Sequence, residues 1–126
     1  MAGGGGGSVH IPWYATGFRG DDFADALAEV SALSSRYGAT GHSVYRSRDD
    51  RYKFLQILHF DERDDWERYW YGDEMSRWRA EHSSWYQVPV VYGWSDLIIE
   101  GTLEPEESVR ATSGVAGGEP GGDLAG

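Results

Sequence analysis

Cysteine is absent from the 126-residue sequence, and its absence excludes several kinds of chemistry. Disulfide bonds, thiolate nucleophiles and metal centres with cysteine ligands all require that residue. Basic residues are scarce as well, because 11 lysines and arginines, with Lys53 the single lysine, stand against 21 acids. A nucleic-acid-binding protein needs a basic face for the phosphates, and an anionic membrane attracts polybasic segments. Neither nucleic acid nor a membrane is therefore expected as a partner.

Long apolar runs are also missing from the sequence. No stretch approaches the ~18 apolar residues that a membrane-spanning helix needs. The first residues, MAGGGGGS, lack the charged segment and apolar run of a secretory signal peptide. We therefore expect the protein to be cytoplasmic.

Aromatic residues are confined to the middle of the chain. All 18 of them lie between Trp13 and Trp94, whereas both ends are rich in glycine. Segments without large apolar side chains cannot offset the entropy lost when the chain becomes ordered. Residues 1–8 and the acidic residues 101–126 are therefore predicted to be disordered, and residues 9–100 to form one folded domain.

The order of the predicted elements identifies a fold class. Helical spacing of apolar residues predicts a first helix, whose start the carboxylate of Asp21 or Asp22 can cap. Gly38 is predicted to take the left-handed position just past its end. A second helical stretch begins near Asp61 and runs into the low eighties. Alternation and apolar runs predict strands at 9–18, 40–47, 52–60 and 90–99. The order βαββαβ is typical of an α+β, ferredoxin-like domain with an antiparallel four-stranded sheet and both helices on one face.

The third and fourth predicted strands are apolar on both faces. Two helices can cover only one face of the sheet, so another surface has to cover the second face. The same face of a second copy is the simplest cover. The pattern therefore predicts a homodimer that is joined sheet to sheet.

The stretch Trp66–Gln87 holds seven aromatic residues and one histidine. Its rings form two stripes that would point in different directions on one continuous helix, and Gly72 lies between them as a poor helix former. We therefore predict a break near Gly72–Asp73. One interpretation is that all these rings form the core, and the alternative is that the second stripe lines a pocket for a small molecule.

The runs "FLQILHFDERDDWERYW" and "WSDLI", together with the element order, carry a resemblance. Over residues 9–100 the chain resembles the dimeric α/β-barrel superfamily, and especially antibiotic-biosynthesis-monooxygenase-like proteins. The resemblance implies a dimer with a cavity between each sheet and its helices. It also implies a choice among cofactor-independent monooxygenases of polyphenols, isomerases and haem-degrading enzymes. The haem-degrading branch uses an asparagine on the first strand, and Trp13 stands at that position.

The candidate site residues are histidines and aromatics. A phenolic substrate needs a general base, and the candidate bases are His82 and His59. The candidate substrate-binding residues are Trp13, Tyr45, Trp70 and Trp78. No metal is expected, because the four histidines lack diagnostic spacing, and no cofactor is expected unless haem is bound through His82.

Two functions follow from these residues. The first is a small homodimeric protein that binds an aromatic or apolar molecule and oxygenates a phenolic substrate without a cofactor. The second is a non-catalytic ligand-binding or assembly module on the same fold.

Overall fold

The computed structural model describes residues 6–106, and its elements follow the predicted order with the second helical stretch divided in two. In chain order the elements are β1 (Gly7–Tyr14), α1 (Gly20–Leu33), a 3-10 turn (Ser34–Tyr37), β2 (Ala39–Arg46), β3 (Lys53–Phe60), α2 (Arg63–Tyr71), α3 (Asp73–Glu81) and β4 (Gly93–Asp96). The strands form one antiparallel sheet in the order β2-β3-β1-β4. The predicted α+β, ferredoxin-like class is confirmed, and the dimeric barrel stays a prediction.

Only part of the predicted disorder falls on described residues. β1 begins at Gly7, two residues before the predicted start of the domain. The prediction for residues 1–5 and 107–126 lies outside the described part of the chain. Within residues 6–106, no helix has the length and apolar character needed to cross a membrane.

The helices cover one face of the sheet, and the strand alternation places the core there. Val9, Ile11 and Trp13 of β1 are buried on that face. They lie opposite the inward residues of β3, in the pairs Val9↔Leu58, Ile11↔Gln56 and Trp13↔Phe54. The core is therefore built where the alternating residues of both central strands meet the helices.

Helix α1 contributes an apolar stripe to this core. Its buried apolar side chains recur at helical spacing, and they are Phe23, Ala26, Leu27 and Val30. Gly38 ends the following 3-10 turn with a φ of 99°, a conformation that glycine adopts without strain. The predicted carboxylate cap of α1 is wrong, because the helix begins at Gly20 without a side-chain cap. The carboxylate of Asp21 accepts a hydrogen bond from Arg46 instead, at 2.8 Å.

The predicted break at Gly72 is confirmed. Helix α2 ends at Tyr71, Gly72 is extended, and α3 begins at Asp73. A Cβ atom on Gly72 would lie 2.5 Å from the carbonyl oxygen of Arg68, so only glycine fits without a shift. Arg79 of α3 donates to the carbonyl of Trp70 at 2.8 Å. The break therefore leaves a helix-end carbonyl that an arginine from the next helix satisfies.

The last strand is shorter than predicted. β4 spans four residues, whereas a strand at 90–99 is predicted from the sequence. The pairing of β4 with β1 ends at Asp96, whose partner Gly7 is the first residue of β1. Leu97, Ile98 and Ile99 therefore lie outside β4, and in the single chain they are 60%, 88% and 85% exposed.

A buried glutamine joins the sheet to α1. Gln56 has no exposed surface. Its Oε1 accepts a hydrogen bond from Trp13 Nε1 at 2.9 Å, and its Nε2 donates to the Oγ of Ser31 at 2.8 Å. Ser31 in turn donates to the carbonyl of Leu27 at 2.7 Å. A buried polar network whose members are satisfied fixes the orientation of the side chains it joins.

We expect Gln56→Leu to lower the free energy of unfolding by about 1–3 kcal/mol, because the indole N–H of Trp13 loses its buried acceptor. Urea denaturation measures this change, with an unchanged m value as the sign of an intact native state. Gln87→Leu is the matched control, since Gln87 is exposed. Equal stability of the two variants would contradict a structural role for the network.

Candidate functional site

Three of the four predicted substrate-binding residues meet between the sheet and the helices. The ring centroid of Trp13 lies 6.0 Å from that of Trp70 and 5.7 Å from that of Trp78. Phe23 and Tyr86 complete the surroundings of Trp13, at 5.5 and 5.0 Å. All five side chains are buried. At this point the aromatic rings fill the interior by packing against one another.

The structure places Tyr45 apart from this cluster. Tyr45 is paired with Leu55, and both side chains point to the face of the sheet opposite the helices. Tyr45 is 60% exposed there. The sheet therefore separates Tyr45 from the three tryptophans with which it was predicted to form a pocket.

His59 lies on the same outward face as Tyr45. It is paired with Ser8 of β1 and with Gly41 of β2, and it is exposed. It also lines a cavity of about 350 Å³ at one end of the sheet. The other residues of that cavity are Gly6, Gly7, Thr40, Phe60, Asp61, Leu97 and Glu100.

His82 lies at the C-terminal end of α3 and contacts the ring cluster. Its Nδ1 is 2.7 Å from the carbonyl oxygen of Trp78. A carbonyl oxygen only accepts hydrogen bonds, so Nδ1 carries the proton and Nε2 is the basic nitrogen of the neutral ring. The imidazole also lies 4.7 Å from the rings of Trp78 and Trp85. The carbonyl therefore fixes the tautomer of the half-buried ring, and the two indoles hold the ring in position.

A groove between α1 and α3, of about 280 Å³, reaches the edge of the cluster. Its lining residues are Glu29, Val30, Leu33, Glu74, Arg77, Trp78 and Glu81. Trp78 is the predicted site residue that lines this groove. Its buried Nε1 has no hydrogen-bond partner among the described residues. Trp66 Nε1 in the core lacks a partner in the same way, so the contribution of Trp78 to the groove is the surface of its ring.

Sequence reasoning missed the contribution of α1 to this groove. Val30 and Leu33 have the helical spacing of residues that face the core, and nothing in the local sequence indicates that they also lie beside α3. Glu29 and Glu81 are exposed residues on their helices. Only the position of the Gly72 break, which sets where α3 lies, brings the two helices together.

Glu74 is held at the rim of the groove by two neighbours. Tyr37 donates to its carboxylate at 2.5 Å, and Arg36 donates at 2.9 Å. The hydrogen bond from Tyr37 is the main reason that the pKa of Glu74 is lowered, with Arg36 acting in the same direction. The same hydrogen bond raises the pKa of Tyr37. Glu74 therefore keeps its negative charge below the usual pH range of a glutamate.

The histidines do not converge. His42 is paired with Leu58, whereas His59 is paired with Gly41, so the two imidazoles face opposite sides of the sheet. Within residues 6–106 there is no group of three or more metal-ligating side chains placed to hold an ion.

Comparison with solved structures identifies the fold. The chain superposes on a protein from Nitrosomonas europaea, provisionally described as an antibiotic biosynthesis monooxygenase, with a TM-score of 0.68 and 16% identity over 78% of this chain and 95% of that one. A protein from Bordetella bronchiseptica with the same provisional description gives a TM-score of 0.67 and 15% identity over 75% and 99%. SnoaB from Streptomyces nogalater, a cofactor-independent oxygenase, gives 0.65 and 16% over 80% and 99%.

These likenesses confirm the fold that the resemblance implied. At such low identities they show the fold alone, and function has to be argued from the site. No family model matches the sequence, and no curated protein matches it.

We expect Tyr37→Phe to destabilise the protein at neutral pH and to lose this effect in acid. The pKa of Glu74 is lower in the folded state than in the unfolded state, where it is near 4.5. The ionised carboxylate therefore stabilises the native state at pH values above 4.5, and this stabilisation is lost as the pH falls through the folded-state pKa. Unfolding measured between pH 7 and pH 3 should therefore show the wild-type and variant curves converging below about pH 4.5. The control is Tyr71→Phe, whose lost hydroxyl is hydrogen-bonded to Tyr92 and not to a carboxylate. The difference in unfolding free energy between this variant and the wild type should not narrow between pH 7 and pH 3.

Proposed function

We propose that this chain binds a small aromatic molecule in the groove between α1 and α3 and oxygenates a phenolic substrate there without a cofactor. The observation that carries the proposal is Trp78, whose ring lines the groove and also packs in the aromatic cluster. The likeness in fold to a cofactor-independent oxygenase supports the reaction class. The groove, at about 280 Å³, is near the lower end of typical ligand sites, which begin at about 300 Å³. A groove of this volume suits a small ligand with few aromatic rings.

Oxygenation without a cofactor requires a substrate that becomes an electron-rich anion. In an anthrone-like phenol, a base removes a proton and the anion reacts with O₂ to give a peroxide. Loss of water from the peroxide leaves a carbonyl, so one oxygen atom enters the product and the other leaves as water. The protein has to supply the base and a site that excludes bulk water.

His82 is the base that this arrangement favours. Its Nε2 is the unprotonated nitrogen of the neutral ring. His82 is not among the residues that line the groove, but its ring lies 4.7 Å from that of Trp78, which does line it. His59 lies across the sheet from Trp78 and would act only on a ligand bound at the second cavity. Trp13 packs directly against Trp78, and Trp70 packs against Trp13.

A homodimer is the second part of the proposal. On the outward face of the sheet, Leu55 and Ile57 are half-buried, and Pro12 and Tyr45 are exposed. These side chains form an apolar surface that the helices leave uncovered. If a second copy packs through the same surface, each copy covers the outward face of the other.

A non-catalytic ligand-binding module is the alternative function. The packed interior favours it, because the tryptophans that a substrate would need to contact are in contact with one another. In this case the groove would bind an aromatic ligand and leave it unchanged.

We expect wild-type protein to consume O₂ with an anthrone-like phenol and His82→Ala to lower the rate by about 100-fold or more while it still binds the product. Trp78→Phe should weaken binding by about tenfold, because the smaller ring offers less apolar surface to the ligand. Trp94→Phe is the control for indole substitution away from the groove. Binding without O₂ consumption would support the binding module, and the absence of both would contradict the proposed site.

We expect sedimentation equilibrium at micromolar concentration to give about twice the 14.0 kDa of one chain. Leu55→Glu should shift the protein towards monomer, because it buries a charge in the apolar interface. Asp25→Lys, on the exposed side of α1, is the control and should remain dimeric. A wild-type monomer under these conditions would overturn the dimer.

A further inference from the structure

Two histidines lie on the outward face of the sheet, which the proposed homodimer would bury. His10 of β1 and His59 of β3 alternate with the inward residues of their strands, and both are exposed in the single chain. His10 is paired with Ile57, and His59 is paired with Ser8. The two imidazoles therefore project from neighbouring strands as diagonal neighbours. The apolar surface around Leu55 and Ile57 thus includes two side chains whose charge changes between about pH 5 and 8.

His10 lies near the middle of this face. β1 has β3 on one side and β4 on the other, and His10 is paired with Ile57 of β3 and with Gly93 of β4. Its Nε2 is hydrogen-bonded to the Oγ of Ser8 at 3.3 Å. The hydroxyl of Ser8 can accept a hydrogen bond from a protonated ring, but it has no charge to balance an imidazolium. The surroundings of His10 in the sheet are therefore uncharged.

The outward face of the strands carries no carboxylate that could balance these histidines. Its ionisable side chains are those of His10, His59, Lys53, Tyr14 and Tyr45, and none of the outward strand residues that the structure describes is acidic. The three helices lie on the other face of the sheet and bring no charge to this one. A twofold dimer would apply an identical face, so the second copy would supply no strand carboxylate either.

Acidic groups lie at the two ends of the face. Asp50 is in the turn that joins β2 to β3 at one end. At the other end, Asp61 and Glu100 line the cavity that His59 also lines. A positive charge on His59 therefore has acidic neighbours, whereas a positive charge on His10 has none within the face.

We propose that protonation of His10, with a smaller contribution from His59, weakens the homodimer below about pH 6.5. The inference rests on the proposed dimer, to which it adds a dependence on pH. A neutral imidazole can be buried against a second copy, but an imidazolium there loses its hydration without gaining a counter-charge. The dimer therefore favours the neutral ring. It binds fewer protons than two free chains, so its stability is full above about pH 6.5 and is lost as the pH falls.

The direction of this pH dependence distinguishes it from a general charge effect. The chain has a net charge of −10 when its four histidines are neutral. Protonation of the histidines makes this charge less negative and reduces the repulsion between two copies. General repulsion therefore predicts a tighter dimer in acid, whereas burial of an uncompensated His10 predicts a weaker one.

Sedimentation equilibrium of the full chain at pH values of about 7.5, 6.5 and 5.5 measures the effect. At about pH 5.5, one unit below the ~6.5 of an unperturbed histidine, exclusion of one proton from each copy weakens association by about tenfold per copy. We expect the dimer Kd to rise by about 100-fold or more between the two ends of this range. Exposed aspartates and glutamates stay ionised throughout it, and circular dichroism at each pH checks that the domain remains folded.

Substitution of single histidines assigns the effect. His10→Gln keeps a neutral polar side chain that does not titrate, and it should reduce the change in Kd to about tenfold or less. His10→Phe keeps an aromatic ring for packing and should reduce the change in the same way. His59→Gln should reduce it less. His42→Gln is the matched control, because His42 is exposed on the opposite side of the sheet, and it should leave the wild-type change intact.

The possible outcomes separate the pH dependence from the dimer itself. A wild-type dimer whose Kd stays constant, or falls in acid, would overturn the pH dependence and leave the dimer standing. A wild-type rise in Kd that persists in both His10 variants would overturn the role of His10. A wild-type protein that is monomeric even at the highest pH would refute the dimer together with this inference.

Discussion

The hydrogen bond between the indole of Trp13 and the side chain of Gln56 is the constraint on which the aromatic interior depends. It sets the plane of the Trp13 ring, and four other rings pack around that plane at centroid distances of 5.0 to 6.0 Å. Through Ser31 the same chain of hydrogen bonds fixes α1 against the sheet. A core made only of apolar groups would allow these large rings several packings of similar energy, whereas a directed bond selects one.

The break at Gly72 determines where a ligand has access. A continuous helix would turn the second aromatic stripe away from the sheet, since the two stripes point in different directions. With the break, Trp66 and Trp70 pack in α2 and Trp78 packs in α3, all three buried. α3 then lies beside α1 and leaves the groove bordered by Trp78. The guanidinium of Arg79, 4.3 Å from the ring of Trp70, holds the two helices together at the break.

The sequence predicts the parts of this structure that local patterns determine. The order of the elements, the left-handed Gly38 and the division at Gly72 follow from periodicity and from glycine chemistry. The outcome for Tyr45 shows where such reasoning ends. Its strand is predictable, but its face depends on the register with β3, which pairing across the sheet determines. The groove was not predicted because it is formed by two helices distant in sequence.

The outward face of the sheet and the groove lie on different parts of the fold, and this separation bears on function. The groove opens between the helices, whereas the uncovered apolar residues of β3 face the opposite side of the sheet. A second copy on that side would cover the outward face without blocking the groove. It would also rigidify β1 and β3, which carry Trp13 and Gln56 and so set the position of Trp78 at the groove. Assembly would then act on ligand binding through the rigidity of the sheet rather than through any residue shared between the two surfaces.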